Sequence, residues 1–462
     1  MDGLTVVILA AGEGKRMRSR QAKVLHALCG RPLLGYALRI ARALADRIVV
    51  VAPPDAEAVA TLAGPDGATV VQRERLGTGH AVMQAREACE GAHTVLILPG
   101  DMPLLTAETI ERLVTHHAAS GAAVTVLTAS VDTPQGYGRV LRQRGRVTRI
   151  VEERDATDDQ KKVTEINTSV YCFDARRLWP ALAEVRADND QGEYYLTDVL
   201  GILARAGARV EAVPVPDAAD AMGVNDRKQL AAAAAIQRQR ILDRLMEAGV
   251  TILDPATTYI DDTVSIGPDT VVHPQAVIEA ATTIGSECVI GAGSHVTGSR
   301  FADRVTLKPY SIIEDAVVEE DATLGPFCHL RPGCHIGAAA EIGNFAELKK
   351  SRVGRRTKIH HVSYTGDATL GERVNVGAGT ITCNYDGERK HRTIVGDDAF
   401  VGTNSSLVAP VTIGEGAYVA AGSVITKDVP PGALAVERSP QVVKDGWATR
   451  RAGRRAAARK DG

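Results

Sequence analysis

The chain lacks the features that mark an exported or membrane protein. It has no apolar run of about 18 residues, the length a membrane-spanning helix needs, and no basic segment followed by an apolar one near its start. Its charges nearly balance, with 54 Lys and Arg against 56 Asp and Glu, so composition does not indicate a general binder of nucleic acid or anionic membranes. We therefore expect a cytoplasmic protein with no membrane span and no nucleic-acid partner.

Paired cysteines are also missing. The seven cysteines are odd in number, and no two are spaced as C-x-x-C, which argues against both a disulfide framework and a zinc site. We expect them to be small core residues, with Cys383 as the exception. They are Cys29, Cys89, Cys172, Cys288, Cys328, Cys334 and Cys383.

The length of 462 residues is too great for one ordinary core and predicts two domains or more. Before about residue 225, β-branched runs at 47–51, 94–98 and 123–127 alternate with helix-like stretches such as 31–45, where Pro32 suits a first helical turn. That alternation predicts a parallel sheet with crossover helices. Residues 226–248 favour helix and contain no Pro or Gly, so we place a linker helix at 226–249 between domains.

After about residue 250, aliphatic residues recur at every sixth position. One phase runs from Ile260 to Val296, a second from Ile312 to Leu348, and a third from Val395 to Ile425. A period of six fits neither a helix nor an ordinary strand, but it is typical of a parallel β-helix whose coils take three hexapeptides each. We place this domain at 250–449 and a basic tail at 450–462.

The stretch VVILAAGEGKRM, residues 6–17, predicts a buried strand that ends in a phosphate-binding turn. The dinucleotide fingerprint is disfavoured because its third glycine is replaced by Met17. A Walker loop is disfavoured because Arg16 follows Gly14-Lys15 and because Leu9 stands at its first glycine position. What remains is a loop whose backbone and cations could hold a nucleoside triphosphate, with Lys23 as a further cation.

A single carboxylate, Asp101, follows the predicted strand at 94–98. Open α/β sheets bind ligands at the carboxyl ends of their strands, so Asp101 is placed to hold Mg²⁺, which prefers hard oxygen ligands and keeps water and phosphate in its shell. The glycine-bearing turns at 76–81 and 135–139 could approach a base or a sugar closely.

Motifs along nearly the whole chain carry a family resemblance. They include LAAGEGKRM, QRERLGTGHA, GDMPLL, GYGRV, IVEERDAT, EINTSVY, NDQGEYYLTD, GVNDR, LRPG, HHVSYTGD, NVGAGTITCNYDG and VGTNSSLVAPV. Together they resemble the bacterial bifunctional N-acetylglucosamine-1-phosphate uridyltransferase / glucosamine-1-phosphate N-acetyltransferase family. The resemblance implies an α/β fold with a Rossmann-like nucleotidyltransferase domain at 1–225, a long linker helix, and a left-handed parallel β-helix that carries acetyl transfer.

By this resemblance, the first domain transfers UMP from UTP to N-acetylglucosamine 1-phosphate and releases pyrophosphate. Arg16 and Lys23 would neutralise the triphosphate, and Mg²⁺ would be held by Asp101 and Asn225. The implied nucleotide contacts are Leu9, Ala10, Ala11, Gly12, Lys23 and Gly100, with Gln72, Gly77 and Thr78 at the uracil. The implied sugar-phosphate contacts are Gly138, Glu152 and Asn167.

The resemblance implies that the second domain acetylates glucosamine 1-phosphate with acetyl-CoA. His361 would take a proton from the amine, Glu347 would polarise its imidazole, and the adjacent His360 would point to the opposite face. The implied sugar-phosphate residues are Arg331, Lys349, Tyr364 and Asn375. The implied acetyl-CoA residues are Ala378, Asn384, Tyr385, Thr403, Ala421 and Arg438; of these, Asn384 and Tyr385 would also orient the sugar and the developing oxyanion.

The resemblance also implies a homotrimer, in which the polar insertion at 383–393 reaches a neighbouring subunit. Three positions depart from the family pattern: Lys15 replaces Thr, Ala22 replaces Pro, and Pro99 replaces the Tyr of some members. The tail at 450–462 is interpreted as a solvated segment, with a role in framing the CoA phosphates as the alternative.

Two other interpretations stay open at this stage. The β-helix could be only regulatory, as in relatives of ADP-glucose pyrophosphorylase, although His361 and Arg438 argue for a second activity. The chain could also be a non-enzymatic module like the translation-factor exchange subunits that pair similar domains. Such a module has no need to keep Arg16, Lys23 and Asp101 together.

Overall fold

The computed structural model describes residues 3–55 and 57–458 and separates them into two compact units. The first unit comprises the chain up to Arg244 together with Ile260–Thr263, and the second comprises Leu245–Tyr259 and the chain from Val264 onward. The boundaries at residues 225, 249 and 449 stay predictions.

The first unit is built around a sheet with helices on both faces. Its strands are β1 (Leu4–Leu9), β2 (Ala27–Leu28), β3 (Arg31–Pro32), β4 (Arg47–Ala52), β5 (Gly67–Val71), β6 (Thr94–Pro99), β7 (Val124–Ser130), β8 (Arg139–Gln143), β9 (Arg146–Val151), β10 (Glu165–Asp174) and β11 (Val210–Pro214). Its helices are α1 (Leu33–Leu44), α2 (Glu57–Ala63), α3 (Thr78–Gln84), α4 (Ala107–Ser120), α5 (Asp158–Lys161), α6 (Ala175–Ala183) and α7 (Asp198–Arg205). Short 3₁₀ turns occupy Lys15–Met17, Lys23–Leu25, Glu87–Cys89 and Ala218–Ala221.

The main path of this sheet runs β11-β7-β10-β6-β1-β4-β5. The three β-branched runs form β4, β6 and β7 as predicted, and Pro32 lies at the N-cap of α1 rather than in its first turn. The prediction of a parallel sheet is wrong for β10, which pairs antiparallel with both β6 and β7, and for the β8–β9 hairpin. The order of the strands still leaves β1 and β6 parallel neighbours whose carboxyl ends meet at one edge.

Two apolar clusters cover the two faces of this sheet. Alternate residues of β1 divide between them: Val6 and Ile8 pack toward α1 and α4, and Val7 packs toward α3, α6 and α7. A strand that is buried on both faces reads as a continuous apolar run, because alternate side chains enter opposite layers. The following helix α8 (Arg227–Glu247) falls within the predicted linker.

The second unit is a left-handed parallel β-helix formed by three sheets of 11, 10 and 9 strands. Strands β12 to β41 are, in order, Thr251–Ile252, Tyr259–Ile260, Ser265–Ile266, Val271–Val272, Val277–Glu279, Thr283–Ile284, Val289–Ile290, His295–Thr297, Arg300–Phe301, Thr306–Leu307, Ile312–Glu314, Val317–Val318, Thr323–Leu324, His329–Leu330, His335–Ile336, Glu341–Asn344, Glu347–Lys349, Arg352–Val353, Lys358–His361, Tyr364–Gly366, Ala368–Leu370, Asn375–Val376, Ile381–Cys383, Thr393–Val395, Phe400–Val401, Ser406–Val408, Val411–Ile413, Tyr418–Val419, Val424–Ile425 and Leu434–Ala435. The chain then forms α9 (Trp447–Ala458).

The sixfold period places the aliphatic residues inside the coils, with one correction. The predicted inward residues are buried except Ile312, whose side chain is 44% exposed, while its neighbour Ile313 is fully buried. Ile313 precedes Val318 by five residues rather than six, because the third turn of some coils is one residue shorter. The period therefore changes phase at Ile313.

Three further predictions concern the cysteines, the C-terminal tail and membrane-spanning helices. Cys383 is half-buried as expected, but Cys29 is also half-buried, so the prediction that all the other cysteines lie in the core is wrong there. In the predicted tail, the side chains of 450–455 are exposed, and residues 459–462 lie outside the described part of the chain. No helix among the described residues is both long and apolar enough to cross a membrane.

The adjacent residues Ile312 and Ile313 give a matched test of the β-helix core. Ile313→Ala should lower the free energy of unfolding by about 2–5 kcal/mol because it leaves a cavity among the stacked aliphatic residues. Ile312→Ala removes the same atoms from the surface and should cost about 1 kcal/mol or less. Denaturant unfolding followed by circular dichroism measures both, and equal losses would contradict the inward assignment of Ile313.

Candidate active sites

A cavity of about 520 Å³ lies at the carboxyl ends of β1 and β6 in the first unit. The loop after β1 forms one wall, because the amide of Ala10 donates to the Val51 carbonyl and the amide of Gly100 donates to the Leu9 carbonyl. The predicted nucleotide-site residues that line the cavity are Leu9, Ala11, Gly12, Lys23, Gln72, Gly77, Thr78 and Asp101.

Three of the predicted residues meet at one point beside this cavity. The Lys23 ammonium donates to the Asp101 carboxylate and, at 3.1 Å, to the side-chain oxygen of Asn225. The amide of Val224 donates to the Asp101 carbonyl at 2.9 Å, which ties the chain before α8 to the end of β6. Residues far apart in sequence thus converge on a single cation.

The donor set of Asp101 and Asn225 fits a magnesium ion. One carboxylate oxygen and one amide oxygen already face a common positive charge, and both are hard ligands of the kind that Mg²⁺ prefers. No group of three or more His, Cys, Asp or Glu able to hold a metal occurs within 3–55 and 57–458. A metal here would therefore complete its shell with water and substrate phosphate, as Mg²⁺ commonly does.

A glycine-bearing turn at Gly77 forms another side of the cavity. Gly77 has φ 103° and lies so close to the Tyr194 backbone that a Cβ would come within 2.7 Å of the Tyr194 carbonyl oxygen. The amide of Gln72 donates to the Ala52 carbonyl, and its side-chain nitrogen contacts the Gly77 carbonyl at 3.1 Å. The buried Gln72 is thereby fixed beside the mouth of the turn.

The predicted sugar-phosphate residues form a neighbouring cluster. A Cβ on Gly138 would lie 3.3 Å from the Glu152 carboxylate and 3.5 Å from Asn167. Glu152 accepts a hydrogen bond from Thr197 at 3.0 Å. Burial raises the pKa of Glu152, and the nearby acidic groups raise it further, while the Thr197 hydroxyl opposes the shift. The carboxyl is consequently held in a site that disfavours its charge.

Some predicted residues lie outside the lining of the 520 Å³ cavity. Ala10 and Gly100 form its backbone frame, and Arg16 is exposed on the 3₁₀ turn that follows the loop. Asn225 reaches the site through its contact with Lys23, whereas Glu152 lines a different cavity of about 910 Å³ and lies close to Gly138 and Asn167. Eight further lining residues were not among the predicted site residues, namely Glu13, Lys15, Val24, Arg75, Ala81, Pro99, Ser169 and Glu193. Their motif positions could have indicated several of them: Glu13 and Lys15 lie in LAAGEGKRM, Arg75 and Ala81 in QRERLGTGHA, Ser169 in EINTSVY and Glu193 in NDQGEYYLTD.

The β-helix brings the predicted acetyl-transfer residues to one corner and the adjoining sheet. His361 ends its strand, and its Nδ1 lies 2.8 Å from the side-chain oxygen of Asn344, the residue paired with it one coil earlier. His360 lies 2.9 Å from Glu341, which also pairs with Lys358. The prediction that the two histidines point to opposite faces is wrong, because both lie outside the coil where the strand reaches its corner. The two histidines differ in their partners, since His361 contacts Asn344 and His360 contacts Glu341.

The predicted contact between Glu347 and the His361 imidazole is also absent. Glu347 instead accepts a hydrogen bond from Arg331 at 3.0 Å, and in the ladder it is paired with Tyr364. Glu347 lies on the strand after the corner, so the strand register places Asn344, and not Glu347, beside the His361 imidazole. Asn344 is the residue that sequence reasoning missed. Lys349, two residues after Glu347, occupies the same outer face of this sheet.

The insertion at 383–393 is an ordered hairpin. Tyr385 bridges to Lys390, whose ammonium lies 4.2 Å from the Tyr385 ring centre. Asp386 accepts from the amides of Glu388 and Arg389 and from His391, and these bonds hold the pKa of the Asp386 carboxyl far below its usual range. The neighbouring Asn384 is buried and donates to Asp367 at 2.6 Å.

Three of the predicted acetyl-CoA residues, Ala378, Thr403 and Ala421, lie at the same corner of successive coils, whereas Asn384 and Tyr385 lie in the insertion after a strand of another sheet. The Ala378 carbonyl accepts from the amide of Asn404, and the Thr403 carbonyl accepts from the amide of Gly422. Arg438 donates to the Ala421 carbonyl at 2.7 Å and so closes this column. Two further predicted residues, Tyr364 and Asn375, lie half-buried on strands beside it.

Fold and sites together define a two-domain transferase, with a nucleotide-binding unit followed by a hexapeptide β-helix. Residues 6–205 match the MobA-like NTP transferase domain, 260–337 match the GMPPB C-terminal domain, and 392–427 match six repeats of the bacterial transferase hexapeptide.

The full-length relatives narrow this class to one family. The chain is 51% identical over 454 residues to the bifunctional protein GlmU of Syntrophotalea carbinolica, covering 97% of each chain. It is 49% identical over 446 residues to that of Trichlorobacter lovleyi, covering 96% of this chain and 97% of the relative. The chain belongs to the GlmU family of bifunctional proteins, with uridyltransferase and acetyltransferase activities.

Proposed function

We propose that this chain makes UDP-N-acetylglucosamine, a precursor of peptidoglycan and lipopolysaccharide, in two steps. The β-helix acetylates glucosamine 1-phosphate with acetyl-CoA, and the first unit then transfers UMP from UTP to N-acetylglucosamine 1-phosphate. The observation that carries the second step is the convergence of Lys23, Asp101 and Asn225 beside the 520 Å³ cavity. We place both reactions in the cytoplasm, where these nucleotide and thioester substrates are available.

In the uridylyl step, a phosphate oxygen of the sugar attacks the α-phosphorus of UTP in line with the departing pyrophosphate. Positioning and charge neutralisation should supply most of the rate in such a reaction. Lys23 and Arg16 neutralise the triphosphate, while Gln72 and the turn at Gly77 receive the base. Mg²⁺, when bound between Asp101 and Asn225, would supply further neutralisation of the phosphate oxygens.

The sugar of the acceptor is assigned to the cluster of Gly138, Glu152 and Asn167. A Cβ on Gly138 would lie 3.0 Å from Ile150 and 3.3 Å from the Glu152 carboxylate, so the lack of a side chain there keeps the space beside Glu152 clear. The carboxyl of Glu152 faces this space and accepts from Thr197, so it is available to receive sugar hydroxyls.

In the acetyl step, the glucosamine amine attacks the thioester carbonyl, His361 takes the amine proton, and the C–S bond breaks so that CoA leaves as its thiol, the sulfur receiving a proton. Because an amide oxygen only accepts hydrogen bonds, the contact with Asn344 requires Nδ1 to donate, which leaves the Nε2 lone pair for the amine. Arg331 and Lys349 would pair with the sugar phosphate, and Tyr364 would orient the sugar together with Asn375, Asn384 and Tyr385. This arrangement supports His361 rather than His360 as the base.

Acetyl-CoA is assigned to the column of Ala378, Thr403 and Ala421. Earlier coils carry the bulky Phe345 at this corner, whereas later ones carry glycine and asparagine at their turns. The change in size opens the corner beyond His361, which suits a pantetheine chain. Arg438, held at the end of the column, could receive a phosphate of the CoA.

The active assembly is proposed to be a homotrimer of parallel β-helices. Tyr310, Phe327 and Phe345 stack on successive coils, with ring centres 5.5 and 5.3 Å apart, and each side chain is about half-exposed. An exposed aromatic ladder beside a catalytic histidine indicates an interface, and a second copy of this chain is the occupant that the proposed shared site requires. The ordered hairpin at 383–393 is suited to reach that copy.

Removal of the carboxylate at the metal site should separate the two activities. Asp101→Ala should reduce uridylyl transfer at least about 100-fold, since several kcal/mol of charge stabilisation depend on the ligand. Acetyl transfer in the same preparation should stay normal because its residues lie in the other unit. Pyrophosphate release and acetyl-CoA consumption measure the two reactions. Full uridylyl activity in this variant would rule out the assignment of Asp101.

The two adjacent histidines give a matched test of the acetyl site. His361→Ala should lower acetyl transfer by about 10²- to 10⁴-fold, the usual contribution of a positioned general base. His360→Ala removes an identical ring that is paired with Glu341 and should cost far less. Both variants should keep normal uridylyl transfer from N-acetylglucosamine 1-phosphate. Equal losses of acetyl transfer would refute the choice of His361.

The aromatic ladder can be tested through the mass of the assembly. The wild-type protein should have three times the 48.9-kDa chain mass in light scattering, and Phe327→Glu should shift it toward the single chain by placing charge in the apolar stack. The variant should lose acetyl transfer and keep uridylyl transfer. A wild-type dimer or monomer would contradict the proposed trimer, and an intact trimer in the variant would exclude the ladder as its interface.

A further inference from the structure

A positive charge of the protein already lies between the two proposed metal ligands. The Lys23 ammonium contacts both Asp101 and Asn225, and the side chains of Lys23 and Asp101 are only 11% and 21% exposed. A lysine in this place satisfies the same two oxygens that a divalent cation would need.

The backbone holds the three groups in this arrangement. Val224 and Asp101 are joined by a backbone hydrogen bond, and the amide of Asn225 donates to Gln229 at 2.8 Å. On the opposite side, Gly14 has φ 63°, and a Cβ there would lie 2.7 Å from the Cβ of Lys23. The glycine loop therefore packs directly against the stem of Lys23 and directs it toward the two oxygens.

The other cations of the cavity have different partners. Lys15 pairs with Glu13 at 2.9 Å, and Arg75 lies 3.7 Å from the same carboxylate. Both Lys15 and Arg75 line the cavity, yet neither ion pair involves Asp101. Lys15 and Lys23 thus carry the same charge into one cavity but differ in what they contact.

We propose that Lys23 occupies the cation position of the nucleotide-free site, so that a divalent cation can bind only when the ammonium leaves. The proposal rests on the uridylyl function and metal ligands inferred above. A triphosphate in the cavity would give the ammonium another anionic partner, and its departure would free both oxygens. The linkage is reciprocal. The Lys23–Asp101 contact weakens metal binding by the same factor by which bound metal weakens that contact.

The test measures binding of Mn²⁺, a spectroscopic substitute for Mg²⁺, to the full chain without nucleotide, by electron paramagnetic resonance. Lys23→Met should bind Mn²⁺ at least about fivefold more tightly than the wild type, the lower end of typical coupling between sites. Lys23→Gln provides a second neutral variant should the first fail to fold. Lys15→Met is the matched control: it removes the same charge from the cavity and should change the affinity far less.

Asp101→Ala placed in the Lys23→Met background separates failure of this inference from failure of the proposed site. If that double variant binds Mn²⁺ as tightly as Lys23→Met does, the metal assignment itself is wrong. If it loses Mn²⁺ while the Lys23 variants match the wild type, the metal site stands and the proposed occupancy by Lys23 is overturned. If the Lys15 and Lys23 variants gained Mn²⁺ affinity equally, the effect would be general repulsion between the cavity's cations and the metal. The proposed occupancy by Lys23 would then also be overturned.

Discussion

The parallel stacking of coils is the constraint on which the second unit depends. Each short strand gives its backbone hydrogen bonds to the coils before and after it, so a residue outside one coil lies over a residue one coil away. This stacking places Asn344 directly against His361, 17 residues apart, and brings Arg331 diagonally to Glu347, 16 residues apart. The site is thus assembled from segments that share no local motif, and its geometry follows from the register of the buried aliphatic residues.

In the first unit, longer parallel strands likewise bring together residues that are distant in sequence. Because β1 and β6 are parallel neighbours, the chain leaves both at the same edge, where the glycine loop and Asp101 meet. Asn225, 202 residues from Lys23, joins them through a backbone bond between Val224 and Asp101. The parallel order of the strands therefore brings the proposed phosphate-binding loop and the proposed metal ligands together, although they are far apart in sequence.

The sequence predicts most of this architecture because burial has a period. The six-residue repeat identified the β-helix, and β-branched runs identified β4, β6 and β7. What failed depends on information beyond the period. The shortened turn before Val318 moves the inward position from Ile312 to Ile313, and the antiparallel direction of β10 is visible only in its pairing with β6 and β7. The partner of His361 could not be read from sequence either, since the choice between Asn344 and Glu347 depends on where the strand meets the corner.

Both proposed sites hold their phosphate-binding cations in the same way. Lys23 is paired with Asp101, and Arg331 is paired with Glu347, before any substrate is bound. Such a pair limits the motion of a long side chain, which reduces the entropy lost when it meets a ligand. Exposed ion pairs contribute only about 0–1 kcal/mol, so a phosphate with two negative charges can replace a half-exposed carboxylate partner such as Glu347. The less exposed pair of Lys23 is harder to exchange, because its separation leaves a carboxylate that needs another cation. The difference in burial between the two ion pairs thus matches the chemistry proposed for each site. In the β-helix, a substrate phosphate is enough to draw Arg331 away from Glu347. In the nucleotide site, Lys23 can leave Asp101 only when a metal ion replaces it there.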